Sequence, residues 1–239
     1  MEHQILTYTA DGLTMQGQLF FEAGSGQRAG VLVFPEAYGL NHHAISRAEK
    51  LASLGYIALA CDLHGHGQVQ EDLGLAVAML DGLYADPSKT RARAIGGLRA
   101  LVARPEIDAS RMGAIGFCFG GTMALELARS GADIKAVVGF HSGLATVAPK
   151  TDARAIKASI LVCIGGDDPF ITRAERATFE AEMQEAGVDW QMHVYGETVH
   201  SFTNPAAANA KRPDAVRYSP SSDRRSWLSM QQHFSETLA

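Results

Sequence analysis

The chain reads as an α/β protein in which a mainly parallel sheet carries helices on both faces and is preceded by an N-terminal antiparallel hairpin. Three observations carry this reading. Short continuous apolar runs recur along the chain, segments of helical period separate them, and residues 5–21 follow a different pattern, alternating around Asp11-Gly12.

The Asp11-Gly12 pair suits a tight turn, so residues 5–21 fold back as a hairpin. Continuous apolar runs then follow at 31–34, 56–61, 112–117, 136–140 and 160–164, each bounded by glycine or polar residues, as expected of strands buried on both faces. Helical stretches lie between them at 43–54 before Gly55, 88–103, 122–130 before Gly131, and 172–186 before Gly187. The terminal glycines suit the left-handed residue that closes a helix, and Thr172-x-x-Glu175 matches a capping box. Val188, Trp190, Met192 and Val194 alternate through a late strand. Trp227, Leu228, Met230 and Phe234 give residues 222–238 a helical face. In open α/β sheets the ligand crevice lies at the carboxyl ends of the strands, so site residues are expected just after strands.

A chain of 239 residues with 46% hydrophobic content can bury one large core, and no linker-like stretch divides it, so residues 1–239 are expected to form a single domain. A membrane span needs roughly 18 to 20 apolar residues, and no run approaches that length. Met1-Glu2-His3-Gln4 lacks the regions of a signal peptide, which makes a cytoplasmic location the expectation. The net charge of −5 comes without a basic cluster and argues against nucleic acid or an anionic membrane surface as partner. Cys61, Cys118 and Cys163 are widely spaced and read as reduced thiols.

Gly116-Phe117-Cys118-Phe119-Gly120-Gly121 falls between a strand-like run and a helix, the setting of a nucleophile elbow with cysteine as the reactive residue. The flanking glycines allow a sharp corner, and the following helix start favours a thiolate and an oxyanion beside Cys118. Such a cysteine needs a proton shuttle and a carboxylate to orient it. His200 follows the late strand in Gly196-Glu197-Thr198-Val199-His200-Ser201-Phe202, and Asp167 and Asp168 compete for the acid position after the run at 160–164. Glu36 stands after the first parallel strand, where a carboxylate near Cys118 would hold or accept the thiol proton. The order nucleophile, acid, histidine is that of α/β-hydrolase triads.

These motifs resemble the dienelactone hydrolase family, cysteine-dependent members of the α/β-hydrolase fold, across nearly the whole chain. Gly116–Gly121 is similar to the family elbow, Gly165-Gly166-Asp167-Asp168 to its acid loop, and His200-Ser201-Phe202 to its histidine loop. The resemblance selects Asp168 over Asp167, implies that Glu36 keeps the resting cysteine as a thiol, and implies an oxyanion hole formed by the N–H groups of Ala37 and Phe119. It implies a small-molecule ester or lactone as substrate and a Cys118–Asp168–His200 triad working through an acyl-cysteine. The same residues would also serve a thioesterase or acyltransferase, and the rival from another class is a redox-sensitive thiol protein.

One departure bears on the substrate. Family members acting on dienelactone bind its carboxylate with arginines, one of them shortly after the His-Ser-Phe motif, where this chain has Thr203-Asn204. From Asp62 through Pro87 there is no lysine or arginine at all. A less anionic substrate is therefore expected, and Leu73, Leu75, Val77, Met79, Leu80, Leu83 and Tyr84 read either as an apolar cap or as ordinary helix core. Tyr38, Met79, Tyr84, Phe202 and Asn204 are the expected substrate contacts. His64 and His66 lack nearby carboxylate or thiolate ligands at metal spacing, and the glycine spacing around the elbow is not a dinucleotide fingerprint, so neither metal nor cofactor is implied. The chain is expected to act as a monomer or homodimer.

Overall fold

The structure, a computed structural model, describes residues 1–24 and 26–239. Strands β1 (Glu2–Ala10) and β2 (Leu13–Phe21) form the hairpin about Asp11-Gly12, both with positive φ. Strands β3 (Arg28–Phe34), β4 (Ile57–Ala60), β5 (Ile107–Phe117), β6 (Ala136–Phe140), β7 (Ser159–Gly165) and β8 (Trp190–Tyr195) complete one eight-stranded sheet in the order β1-β2-β4-β3-β5-β6-β7-β8. Pairing is antiparallel from β1 through β2 to β4 and parallel thereafter.

Helices α1 (His42–Ser53) and α7 (Pro220–Thr237) cover one face. The other face packs against α4 (Pro87–Val102), α5 (Phe119–Arg129) and α6 (Arg173–Ala186). At α6 the Thr172 hydroxyl accepts from the Glu175 N–H and Gly187 closes the helix in the left-handed conformation, but the capping box is only half formed, because the Glu175 carboxylate accepts from Leu144 and Ala145 and not from the Thr172 N–H. The apolar stretch at 73–84 forms two short helices, α2 (Leu73–Ala78) and α3 (Asp81–Ala85). It behaves partly as core and partly as cap, since Ala76, Leu80 and Leu83 are buried while Leu73, Leu75, Val77 and Tyr84 are exposed. Residues 202–222 are not a featureless loop: they hold a 3-10 turn at Pro205–Asn209, and Val216 bridges to His200.

Two glycines decide how the strand ends converge. A Cβ on Gly116 would stand 2.0 Å from the Gly120 carbonyl oxygen, and one on Gly120 would stand 2.2 Å from that of Phe34. The start of α5 thus rests directly on the backbone at the ends of β5 and β3. Replacing Gly116 by Ala is expected to destabilise the protein by about 3 kcal/mol or more, since backbone rather than a side-chain tip must move. Denaturant unfolding should show a lower midpoint with little change in slope.

Candidate active site

Four of the expected residues meet at the carboxyl ends of parallel strands. Cys118 follows β5 as the N-cap of α5 with φ 53° and ψ −120°, a conformation that L residues rarely adopt and that tight surroundings must enforce. Its N–H donates to the Phe140 carbonyl at 3.0 Å, and its own carbonyl accepts from the Gly121 and Thr122 N–H groups at 3.0 and 3.4 Å. So fixed, the half-buried side chain faces a cavity at the first turn of α5.

His200 is held from several sides. Its N–H donates to Ala215 O at 3.0 Å, and its carbonyl accepts from Arg217 N at 3.1 Å. Nδ1 lies 2.8 Å from Asp168 Oδ2, while Asp168 Oδ1 accepts the N–H groups of Phe170 and Ile171 at 2.9 and 3.3 Å. Asp168 is buried and Asp167 is exposed, so geometry separates two residues that local spacing leaves equivalent. The rings of His141 and Phe170 stand edge-on to His200, with centroids 5.0 and 5.2 Å away. Burial alone would disfavour the imidazolium, but the Cys118 thiolate, seconded by hydrogen bonds to Asp168 and Cys118, lifts the His200 pKa to about 10.

Glu36, 2% exposed at the end of β3, has other partners than the resemblance implies. Ser201 Oγ donates to its Oε1 at 3.1 Å, Asn204 Nδ2 donates to Oε2 at 2.6 Å, and His43 Nδ1 lies 3.3 Å from Oε2. Among the described residues Glu36 makes no hydrogen bond to Cys118, because short donors on the histidine loop and on α1 take up both its oxygens. Burial opposes its ionisation, yet His43 and the Asn204 amide outweigh that and hold its pKa at about 2. Polar contacts continue behind it, with His43 Nε2 3.3 Å from Thr203 Oγ1 and that oxygen 2.8 Å from His141 Nε2. Arg47 donates to the Thr203 carbonyl and pairs with Asp223 at 2.9 Å.

The cavity, about 600 Å3, is walled mainly by apolar side chains, including Leu73, Val77, Leu80 and Leu83. Tyr38 and Tyr84 line it as expected, and the Tyr84 ring meets Phe119 edge-on at 4.7 Å. The other three expected contacts do not line it. Phe202 is fully buried against His141 and Tyr195 on the α1 and α7 face, because the turn after His200 carries its ring into the cluster of Phe117, Phe140 and Met230. Asn204 spends its amide on Glu36 and on the Ala206 N–H, and Met79, the C-cap of α2, is 39% exposed and points elsewhere. Nor does any lysine or arginine line this cavity among the described residues. Arg91 is tied to Glu126 and Asp152 at 2.9 and 2.7 Å, and Arg93 to Asp11 and the Leu63 carbonyl. A smaller groove of about 370 Å3 beside Lys150 and Arg154 contains none of the expected groups.

The loop after β4 braces the site. Asp62 accepts four N–H groups, from Gln16, His64, Gly65 and Gly67, at 2.7 to 3.1 Å. His64 Nε2 in turn lies 2.8 Å from the Ala37 carbonyl. Phe170 lines the site and His141 backs His200, and neither is singled out by the sequence motifs; Glu175, which also lines the cavity, is read there only as part of a capping box. For His141 the signal was present, since it directly follows a strand.

The ionised state of Glu36 ties stability to pH. A carboxyl group whose folded pKa is lowered contributes stability above its unfolded value and loses it as pH falls, here from 4.5 through about 2. That gap corresponds to roughly 3 kcal/mol. The stability difference between wild type and Glu36→Gln, measured by denaturant unfolding, should therefore narrow by about that amount between neutral pH and pH 2. A difference independent of pH would show that Glu36 is not held ionised by these donors.

Comparison with known proteins identifies the family of the chain. The model of the "Dienelactone hydrolase family" matches residues 15–238. A Bradyrhizobium sp protein named probable 2-oxo-3-(5-oxofuran-2-ylidene)propanoate lactonase is 31% identical over 207 residues, covering 81% of this chain and 80% of its own. The solved structure of m3DLH is 45% identical, covers 100% of this chain and 99% of its own, and superposes with a TM-score of 0.95. A dienelactone hydrolase-like promiscuous phosphotriesterase from metagenomic libraries is 43% identical with the same coverage and a TM-score of 0.95. With an eight-stranded, mostly parallel sheet of that architecture and a family match across nearly its full length, the chain belongs to the dienelactone hydrolase family and is an ester or lactone hydrolase.

Proposed function

We propose that the chain cleaves esters or lactones that carry no carboxylate, in a largely apolar cavity, through an acyl-cysteine intermediate. The observation that carries this is the 2.8 Å contact of His200 Nδ1 with Asp168 Oδ2, in a histidine that lines the same cavity as Cys118 at the start of α5. In this mechanism the Cys118 thiolate attacks the substrate carbonyl carbon, and the developing oxyanion is received by the N–H groups of Ala37 and Phe119. Neither N–H donates elsewhere among the described residues, which supports that role. His200, oriented by Asp168, gives its proton to the leaving oxygen and then takes one from the water that hydrolyses the thioester. Because the oxygens of Glu36 are engaged, His200 rather than Glu36 is assigned as acceptor of the thiol proton. Glu36 then acts by tying the histidine loop to the strand end that carries Ala37.

The absence of lysine and arginine from the cavity lining supports a substrate without a carboxylate, since a buried anion lacking a cationic partner is costly. The likeness to a promiscuous phosphotriesterase favours a second reading, in which neutral phosphotriesters enter the same cavity and the sulfur attacks phosphorus.

Cys118→Ala should lower kcat/KM for small aryl esters by about a thousandfold or more, and Asp168→Asn by a comparable factor through the wrong histidine tautomer. Brief exposure of wild type to an activated ester should give a transient mass adduct at Cys118. Unchanged turnover by the purified Cys118→Ala protein would discard the mechanism. In competition between neutral and carboxylate-bearing lactones the neutral ones should win, and an anionic preference of about tenfold, or 1.4 kcal/mol, would overturn the substrate assignment.

A further inference from the structure

Building on the ester-hydrolase reading, we infer that Glu175 is a specificity-determining residue that selects esters carrying an ammonium group. The polar groups of the cavity wall explain why Glu175 is singled out. Glu126 is neutralised by Arg91 and Arg129 at 2.9 and 3.1 Å. Thr122 and Thr90 donate their hydroxyls to the carbonyls of Gly143 and Leu83. Glu36 is filled by Ser201 and Asn204.

Glu175 is only half engaged. Its Oε1 accepts the N–H groups of Leu144 and Ala145 at 2.7 and 3.2 Å, while Oε2 has no donor and the carboxylate no lysine or arginine partner among the described residues. The residue is rigidly placed: it lies in the first turn of α6 with its N–H on the Thr172 hydroxyl at 3.1 Å, and the two loop N–H groups fix its carboxylate. Glu175 thus lines a mainly apolar cavity whose two other carboxylates, Glu36 and Glu126, are already answered by donors.

Tyr84 and Phe170 supply the aromatic faces of that wall. Tyr84 lines the same cavity as Cys118 and Glu175, and its ring meets Phe119, the residue after Cys118, at 4.7 Å. A substrate bound at Cys118 can thus extend past Tyr84 toward Glu175. An uncharged alkyl end would strip water from the carboxylate and return nothing, and an anion would be repelled. An ammonium group satisfies the free oxygen and is attracted by the ring faces.

Anchoring of the 144–145 loop requires only one carboxylate oxygen, so charge and anchoring can be separated. Glu175→Gln keeps an oxygen for the Leu144 and Ala145 N–H groups while removing the charge. Two matched ester pairs serve as probes: choline butyrate with its carbon isostere, in which carbon replaces the quaternary nitrogen, and the p-nitrophenyl ester of trimethylammoniobutyrate with its own carbon isostere. Wild type should prefer the cationic member of at least one pair by about tenfold in kcat/KM, equivalent to 1.4 kcal/mol. Glu175→Gln should bring that ratio close to one, and added salt should weaken the wild-type preference.

Parity in both pairs for wild type, or a preference that survives Glu175→Gln, overturns the inference. A check that needs no variant is competition with aryl-ester hydrolysis by wild type, where choline should inhibit at least about fivefold more tightly than its carbon isostere. Equal inhibition also overturns it. If wild type turns over a simple aryl ester without favouring the cation, only this inference falls; if it turns over no ester at all, the hydrolase reading falls with it.

Discussion

The close backbone approach at the elbow is the constraint on which the site depends. With hydrogen in place of a side chain at Gly116 and Gly120, the first turn of α5 settles onto the ends of β5 and β3 at distances that no Cβ would permit. That contact accompanies the positive φ of Cys118 and brings Ala37 and Phe119 to the wall of the same cavity. The strain is carried by backbone hydrogen bonds to Phe140, Gly121 and Thr122, so the position of Cys118 is set by its backbone and not by its own side chain.

A second layer of order comes from buried polar groups. Glu36, His43, Thr203, Asn204, His141, Arg47 and Asp223 link the end of β3, helix α1, the histidine loop and the start of α7. Buried charge is tolerated only where donors answer it, and here Ser201, Asn204 and His43 answer Glu36. The same polar layer positions the loop that presents His200, so hydrogen bonding away from the cavity sets the geometry of that imidazole.

Charge pairing also shapes the cavity. Arg91 and Arg129 are occupied by Glu126, Asp152 and Glu182, and among the described residues no lysine or arginine lines the cavity. That pairing is what supports the proposed substrate without a carboxylate. The apolar wall from α2 and α3 combines buried anchors such as Leu80 and Leu83 with exposed residues such as Leu73 and Val77, and so serves as core and cap together.

Local sequence was enough for the sheet and most helix ends: buried strands must be apolar on both faces, and Thr172 and Gly187 carry the chemistry of a helix start and stop. It was poorer where the signal is mixed, as in the first half of β5, where Asp108, Ser110 and Arg111 interrupt the apolar run. The elbow and the order of Cys118, Asp168 and His200 are legible because each follows a strand and the family motifs lie within short segments. The choice of Glu36 partners, the inward turn of Phe202, the tying of Arg91 and the half-engaged carboxylate of Glu175 were not, because each depends on groups from distant segments meeting across the fold. A residue type announces what chemistry is available, whereas packing determines which of its atoms remain unoccupied, and in this protein specificity follows from the second.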